Sequence, residues 1–452
     1  MKINREDYLN SICKKIKYKD KRKSIYDELE THIEETKNEF IRLGFSNEQA
    51  EEQALKEMGD SNEIAKSFNK IYKVHIDYLS IIIILILLFT NIFITNMLVK
   101  EHFIQNVNSL YINIFIGCIM AIPIFAINYK KLEKYAFLIF SIGLLFAWIS
   151  YFIIQYKLLI DKNIIDNPIY FSYISILLYI IAYAGIIRKY GKSWKTLLVA
   201  IISIISLVAV ERISLIILLT ITYLIMTANQ IPIKENKRFY TTLFSVIVLL
   251  TTMFVGILAL CENKFDGPIK TILTFFDRDT QVAIMKKNNN NEFELTKDFT
   301  TSYYSYQKKN EILSQCKLFG RSDSLNDKNY IGGLETENIF LFVISYLGWI
   351  PSIILLILII SIIIKTIKNI TYINDNYGRL ISIGIISYLL ISSILSILIS
   401  LNLFPIANIA LPFISTGNIN ILFSILALSI CLSIYSKKDI LKIDSDYREL
   451  IC

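Results

Sequence analysis

Apolar runs long enough to cross a lipid bilayer recur throughout this chain. The first, "YLSIIIILILLFTNIFITNML" at 78–98, holds no charged residue. A helix needs about 17–25 such residues to span the hydrocarbon. Lipid offers no partner for backbone N–H and C=O groups, so only helices or closed barrels can cross it. The runs here are too long and too uniformly apolar for barrel strands, which alternate polar and apolar positions. The chain is therefore expected to be an all-α, polytopic membrane protein. Composition agrees: 54% of its 452 residues are hydrophobic and only 19% are charged.

Ten spans are expected, at about 78–99, 111–129, 135–156, 168–187, 196–210, 213–229, 239–261, 338–364, 380–403 and 419–435. Lysine and arginine collect in alternate loops, at Lys130, Lys131 and Lys134, at Arg188, Lys189, Lys192 and Lys195, and at Lys234, Lys237 and Arg238. Lys365, Lys368 and Arg379, then Lys437 and Lys438, continue the pattern. Cytoplasmic loops carry such an excess. This orientation puts both termini inside and the long polar segment 262–337 outside. The asparagine run at 288–291 reads as a flexible loop tip. A loop this long among short ones is usually functional or disordered.

Residues 1–74 read as a small soluble helical domain on the cytoplasmic side, with 75–452 as the membrane domain. Ile25, Leu29, Ile33, Phe40 and Leu43 share one helical stripe. Ser46 and Gln49 fit a capping box. Gly59 fits the end of that helix, and "DSNE" at 60–63 the start of the next. No cleavable signal peptide is expected, because the N-terminus stays polar for more than seventy residues. Cys13, Cys118, Cys261, Cys316, Cys431 and Cys452 show no metal or disulfide spacing, and His32, His75 and His102 are scattered. A zinc site is not expected.

Three stretches carry unusual chemistry. In "GGLETENIFLF", 332–342, Glu335 and Glu337 stand at the mouth of an apolar run. They could cap the span, where the helix dipole favours negative charge. They could instead supply a general base or bind a cation in an outward cavity. In "VERIS", Glu211 and Arg212 form a charged turn between two spans. Ionisable residues so near the membrane interior are costly and often functional. In "LFPIANIALPFISTGNIN", 403–420, Pro405 and Pro412 both forbid regular helix. A short re-entrant segment entered from outside and lining a pocket fits this apolar but non-helical stretch.

That last stretch resembles the "PvtGiPLPFiSyGG" signature of the FtsW/RodA/SpoVE family, the SEDS proteins of cell-wall synthesis. The likeness runs through Pro405, Leu411, Pro412, Phe413, Ile414, Ser415 and Gly417. The family's "HTDFIFaviGEELG" aligns without gaps on "ETENIFLFVISYLG", 335–348. "YQ" at 306–307 and "LFGRS" at 318–322 are similar to its "YQ…GGlfGkG". Ten spans, inside termini and a large outer loop before the eighth span also match. The likeness covers roughly residues 78–435. The family's catalytic Asp falls on Glu337 and its preceding His on Glu335. Its paired glutamates fall on Ser345 and Tyr346. Its "QPSElaK" is similar to "NPIYFSY", 167–173, and its "QPDLGTA" aligns on "AVERISL", with Glu211 at the Asp and Ser214 at the Thr. Residues 1–74 separately resemble the permease-prefix domains found before some transporters and SEDS-like proteins.

The resemblance implies a peptidoglycan glycosyltransferase that polymerises lipid II at the outer membrane face, in cell division, elongation or sporulation. It implies Glu337 as the base that takes the acceptor hydroxyl's proton, with inversion at the donor sugar. Glu335, Glu211, Arg212 and Arg321 would bind substrate, and Pro412, Ser415 and Thr416 would shape the pocket. Arg278 and the loop lysines are further candidates to meet the pyrophosphate. No cofactor is evident, and a divalent cation could share the pyrophosphate. The implied partners are lipid II, a class B penicillin-binding protein and the membrane; no nucleic-acid partner is expected. A catalytically weak relative that binds the lipid-linked precursor or acts as a scaffold is the alternative. A transporter or flippase is the third reading. It should carry broken helices in both halves, and only the C-terminal half shows one.

Overall fold

The computed structural model describes residues 4–17, 22–71, 75–104, 108–159, 169–191, 193–208, 213–230, 285–287, 293–295, 307–323, 334, 336–404, 409–416 and 418–438. The chain forms two compact units, Met1–Ile76 with Ser436–Cys452, and Asp77–Tyr435.

The first unit contains α1 (Arg5–Lys15), α2 (Arg22–Arg42), α3 (Asn47–Met58) and α4 (Ser61–Ile71). Leu9, Ile12, Ile25, Ile33, Ala50 and Ala54 are fully buried and form its core. Withdrawing those side chains from water is the main force holding so small a unit together. Ser46 and Gln49 make the reciprocal capping box, at 3.4 and 3.3 Å. Gly59 ends α3, and its carbonyl accepts the Tyr8 hydroxyl at 2.7 Å. The expected apolar stripe stops short. Phe40 is half-buried and Leu43 is 73% exposed, because α2 ends at Arg42 and the following turn leaves the helical phase.

The second unit begins with α5 (Tyr78–Lys100), α6 (Asn108–Ala126), α7 (Lys130–Lys134), α8 (Ala136–Leu159), α9 (Ile169–Tyr190), α10 (Trp194–Val208) and α11 (Ile213–Gln230). After the strands β1 (Met285–Lys287) and β2 (Phe293–Leu295) come α12 (Ile339–Leu347), α13 (Trp349–Thr371), α14 (Asn376–Ser400) and α15 (Asn418–Ser436). Among the described residues, six helices, α5, α8, α9, α13, α14 and α15, are long and apolar enough to cross a membrane. Shorter apolar helices occupy Leu110–Phe125, Trp194–Leu207 and Ser214–Asn229. The protein is thus a multi-pass helical membrane protein. The expected span at 239–261 lies outside the described residues. The asparagine run does too, but β1 and β2 flank it and pair antiparallel, with Lys286 opposite Glu294.

Helix α14 is buried along most of its length. Tyr183 of α9 stacks on Tyr223 of α11 at 4.0 Å, and Leu88, Leu110, Ile421 and Ile425 join α5, α6 and α15. The N-terminal end of α14 is anchored by charge. Asp375 caps it by accepting from Gly378 N–H at 2.8 Å, and Arg188 lies 3.5 Å away. Arg188 also meets Glu133 at 2.9 Å. Asp77 caps α5 and accepts from Asn369 at 2.6 Å. Burial pushes the Asp77 carboxyl up, but hydrogen bonds from Asn369 and Ser80 and the Lys365 charge outweigh it and hold the group below its ordinary value.

One expected span is not continuous. The run at 338–364 breaks at Gly348, which takes φ +96° between α12 and α13. Pro351 accounts for the break. In an unbroken helix its ring would clash with the carbonyl of Leu347 and it could not donate there. The freed groups on both sides are taken by one segment, 317–322. Gly320 N–H donates to Leu347 O at 2.9 Å and Ser322 N–H to Ser345 O at 2.7 Å. On the other side, Trp349 N–H donates to Lys317 O and Ile350 N–H to Leu318 O, each at 3.1 Å. The orphan groups of two helix ends are thereby satisfied. A Cβ at position 348 would lie 2.6 Å from Leu318 O. Gly348→Ala should therefore cost about 1–3 kcal/mol for the backbone conformation alone, and more for the collision. Thermal unfolding of the purified protein in detergent measures this, and an unchanged midpoint would contradict the account.

Candidate active site

Glu337 sits in the turn before α12 and is half-buried. Its carboxylate accepts the Thr336 hydroxyl at 2.9 Å, and its main-chain carbonyl accepts from Ser400 Oγ at 3.2 Å. It does not cap α12. That position belongs to Asn338, whose side chain makes no capping bond. Behind Glu337, residues Ile339 to Ser345 are all buried, so the turn is mounted on a rigid helical stub.

A short helix at 307–314 is tied to the C-terminal end of α14. Lys309 Nζ donates to the carbonyl of Ile399 at 3.3 Å, and Asn402 Nδ2 donates to Asn310 Oδ1 at 2.9 Å. Ile399 and Ser400 end α14, so the C-terminal end of one helix holds both Lys309 and Glu337. Burial lowers the Lys309 ammonium to about 8, against a smaller opposing pull from the Glu337 charge. The neighbouring Lys308 pairs with Glu311 at 3.0 Å. Arg321 makes an ion pair with Glu101, the residue after α5, at 2.8 Å and remains 43% exposed.

The segment at 409–416 is non-helical and almost wholly buried. Phe413 adopts φ +66°. Its backbone is satisfied by side chains from inside the helices. Asn91 of α5 donates to Phe413 O at 2.8 Å and to Ser415 O at 3.3 Å, and Asn420 of α15 donates to Leu411 O at 3.0 Å. Buried irregular backbone at this depth needs such partners. Asn91 lies ten residues before Glu101, about 15 Å along α5 at 1.5 Å per residue.

Among the expected site residues, the structure gathers Glu337 with the end of α14 and gives Arg321 a carboxylate partner. Pro412, Ser415 and Thr416 lie in the irregular segment held by Asn91 and Asn420. Glu335, Glu211 and Arg212 lie outside the described residues, as do Arg278, Pro405 and Gly417. Sequence reasoning took the loop lysines as a group and did not single out Lys309, and it missed Asn91. A lone asparagine inside an apolar run was a signal that some buried group needs a donor. Among the described residues, no three His, Cys, Asp or Glu side chains cluster to hold a metal ion.

The chain matches no family model. It is 25% identical over 226 residues to the probable peptidoglycan glycosyltransferase FtsW of Enterococcus hirae. That match covers 49% of this chain and 53% of the relative, so the chain spans about half the length of that protein. In fold it is similar to a chain of a peptidoglycan synthase complex, with TM-score 0.57, 11% identity, and coverage of 80% of this chain and 98% of that one. It is also similar to the rod-shape-determining protein RodA of Thermus thermophilus, with TM-score 0.51, 11% identity, and coverage of 81% and 98%.

Proposed function

We propose that this chain, a member of the FtsW/RodA/SpoVE family in sequence likeness and fold, is a peptidoglycan glycosyltransferase that polymerises lipid II. The observation that carries the reading is Glu337. The family likeness puts it at the catalytic Asp, in a turn whose main-chain carbonyl is held by Ser400. A half-buried carboxylate at the mouth of a helix can take a proton from a sugar hydroxyl. A general base must lie within hydrogen-bond reach of that proton.

In the proposed reaction the acceptor hydroxyl attacks the anomeric carbon of the donor sugar. Its proton passes to Glu337, the new glycosidic bond forms, and the bond to the lipid pyrophosphate breaks with inversion. Glu carries one methylene more than Asp, so its backbone must stand back by about 1 Å for the same reach, a distance that matters greatly to rate. Arg321 keeps exposed guanidinium surface while paired with Glu101 and can turn further N–H donors toward a phosphate oxygen. A class B penicillin-binding protein is the proposed partner, since a polymerised strand must be crosslinked.

The catalytic end would face outward, with both termini and the four-helix unit inside. A cysteine placed in the run 288–291 should react with an impermeant thiol reagent in intact cells. Labelling only after permeabilisation would put Glu337 on the wrong face and end the proposal. The direct test is polymerisation of lipid II by the purified protein, with and without a transpeptidase partner. Glycan strands are the expected product, and their absence under both conditions overturns the reading.

A further inference from the structure

We infer that the place where the start of α8, the end of α9 and the start of α10 meet binds the headgroup of an anionic phospholipid. This site does not depend on the glycosyltransferase reading. Arg188 ties it to the start of α14, whereas Glu337 is held at the other end of that 25-residue helix. Helices α8 and α9 are long and apolar enough to cross a membrane, so these ends lie where hydrocarbon gives way to water. Tyr190 gathers the three ends. Its ring meets Phe137 edge-on with centroids 5.7 Å apart, and the ammonium groups of Lys189 and Lys195 lie 5.4 and 4.7 Å from its centre. An aromatic ring attracts a cation held over its face. Two like charges drawn to one ring also repel each other, and an anion shared between them relieves that repulsion.

The carboxylates close by do not supply that anion. Glu133 meets Arg188 at 2.9 Å, and Asp375 has Arg188 at 3.5 Å and Lys130 at 4.0 Å. Lys189 and Lys195 are exposed, and among the described residues neither has a carboxylate in salt-bridge range. The surface beside them is apolar. Trp194 is 66% exposed, and Phe137, Leu138 and Leu198 are exposed on the first turns of α8 and α10. Aromatic rings settle at the headgroup level of a bilayer, and basic clusters at span ends take anionic headgroups. The ligand therefore needs a negative head joined directly to hydrocarbon. A soluble anion would meet the lysines and leave the apolar surface bare, so the occupant that fits both is a lipid.

Two measurements on the full-length protein test the site. The first is competitive acetylation in nanodiscs of phosphatidylcholine with or without phosphatidylglycerol, read lysine by lysine by mass spectrometry. Phosphatidylglycerol should protect Lys189 and Lys195 at least about threefold more than Lys368, which is exposed on the last turn of α13. Equal protection of all three means a diffuse surface attraction and overturns the site, as does no change at Lys189 and Lys195. The second is retention of phosphatidylglycerol by the detergent-purified protein, measured by native mass spectrometry. Lys189→Gln with Lys195→Gln should weaken it about tenfold or more. Tyr190→Leu keeps every charge but removes the ring that gathers them, and should weaken it about threefold. Lys368→Gln should leave it unchanged. Equal retention in wild type and the double variant overturns the site, and so does a loss of the same size in Lys368→Gln. Displacement of the lipid by inorganic phosphate would make the ligand a free anion and overturn the lipid assignment. If the double variant or Tyr190→Leu fails to fold, the acetylation comparison on the wild type decides alone.

Discussion

Glu337→Gln should lower lipid II turnover by about 10²–10⁴, the usual contribution of a general base, while leaving binding of the lipid-linked donor near normal. The amide keeps the shape and nearly the volume of the carboxylate, and it can still accept the Thr336 hydroxyl that meets Glu337 at 2.9 Å. What it loses is the capacity to take a proton. Glu337→Asp restores the family's residue and should retain activity or raise it. Thr336→Val removes only the neighbouring hydroxyl and should cost far less. The measurement is single-turnover polymerisation with a separate binding assay. Equal rates for wild type and Glu337→Gln would end the catalytic reading and favour a scaffold or precursor-binding role.

The second large effect is expected at Asn91, far from the base. Asn91→Leu keeps the helix and an apolar surface but withdraws both N–H donors from Phe413 O and Ser415 O. An orphaned buried carbonyl costs about 1–3 kcal/mol. Orphaning Phe413 O alone implies a loss of that size, a severe one for a marginally stable fold. The purified variant should unfold at a clearly lower temperature and should show faster proteolysis across 409–416. Thr95→Val provides the comparison. It deletes only the hydroxyl that donates to Asn91 Oδ1 at 3.3 Å and should have a much smaller effect. A midpoint for Asn91→Leu equal to that of wild type would mean that the irregular segment finds its partners elsewhere.

The spans were legible because lipid imposes one rule on every residue of a crossing helix, and a run of isoleucines obeys it visibly. Expected and observed ends of α5, α9 and α11 differ by at most three residues. The break at Gly348 was not read, although "GWIP" spells it out with a glycine and a proline three apart. The uniform hydropathy of the run concealed the two residues that interrupt it. Lys309 was illegible for a different reason. Its meaning comes from Ile399, ninety residues along the chain, and no local pattern encodes so distant a meeting. Leu43 shows the opposite failure. Its spacing continued the apolar stripe, but the helix that would have carried it inward had already ended. Glu337 was found through its place beside a span and through family likeness, and neither could show that Ser400 at the end of α14 holds its main-chain carbonyl.

The segment 317–322 grips the interrupted helix through peptide groups alone, in four bonds that involve no side chain. Peptide groups are common to nearly every amino acid. Replacing Lys317, Leu318 or Arg321 by another residue leaves the four bonds available, because within the segment only Gly320 and Ser322 donate. Adding or removing one residue between 317 and 322 is another matter, because it puts every donor out of step with its acceptor at once. Here the molecule tolerates respelling but not respacing: over evolutionary time the letters of this stretch can wander while their number stays fixed.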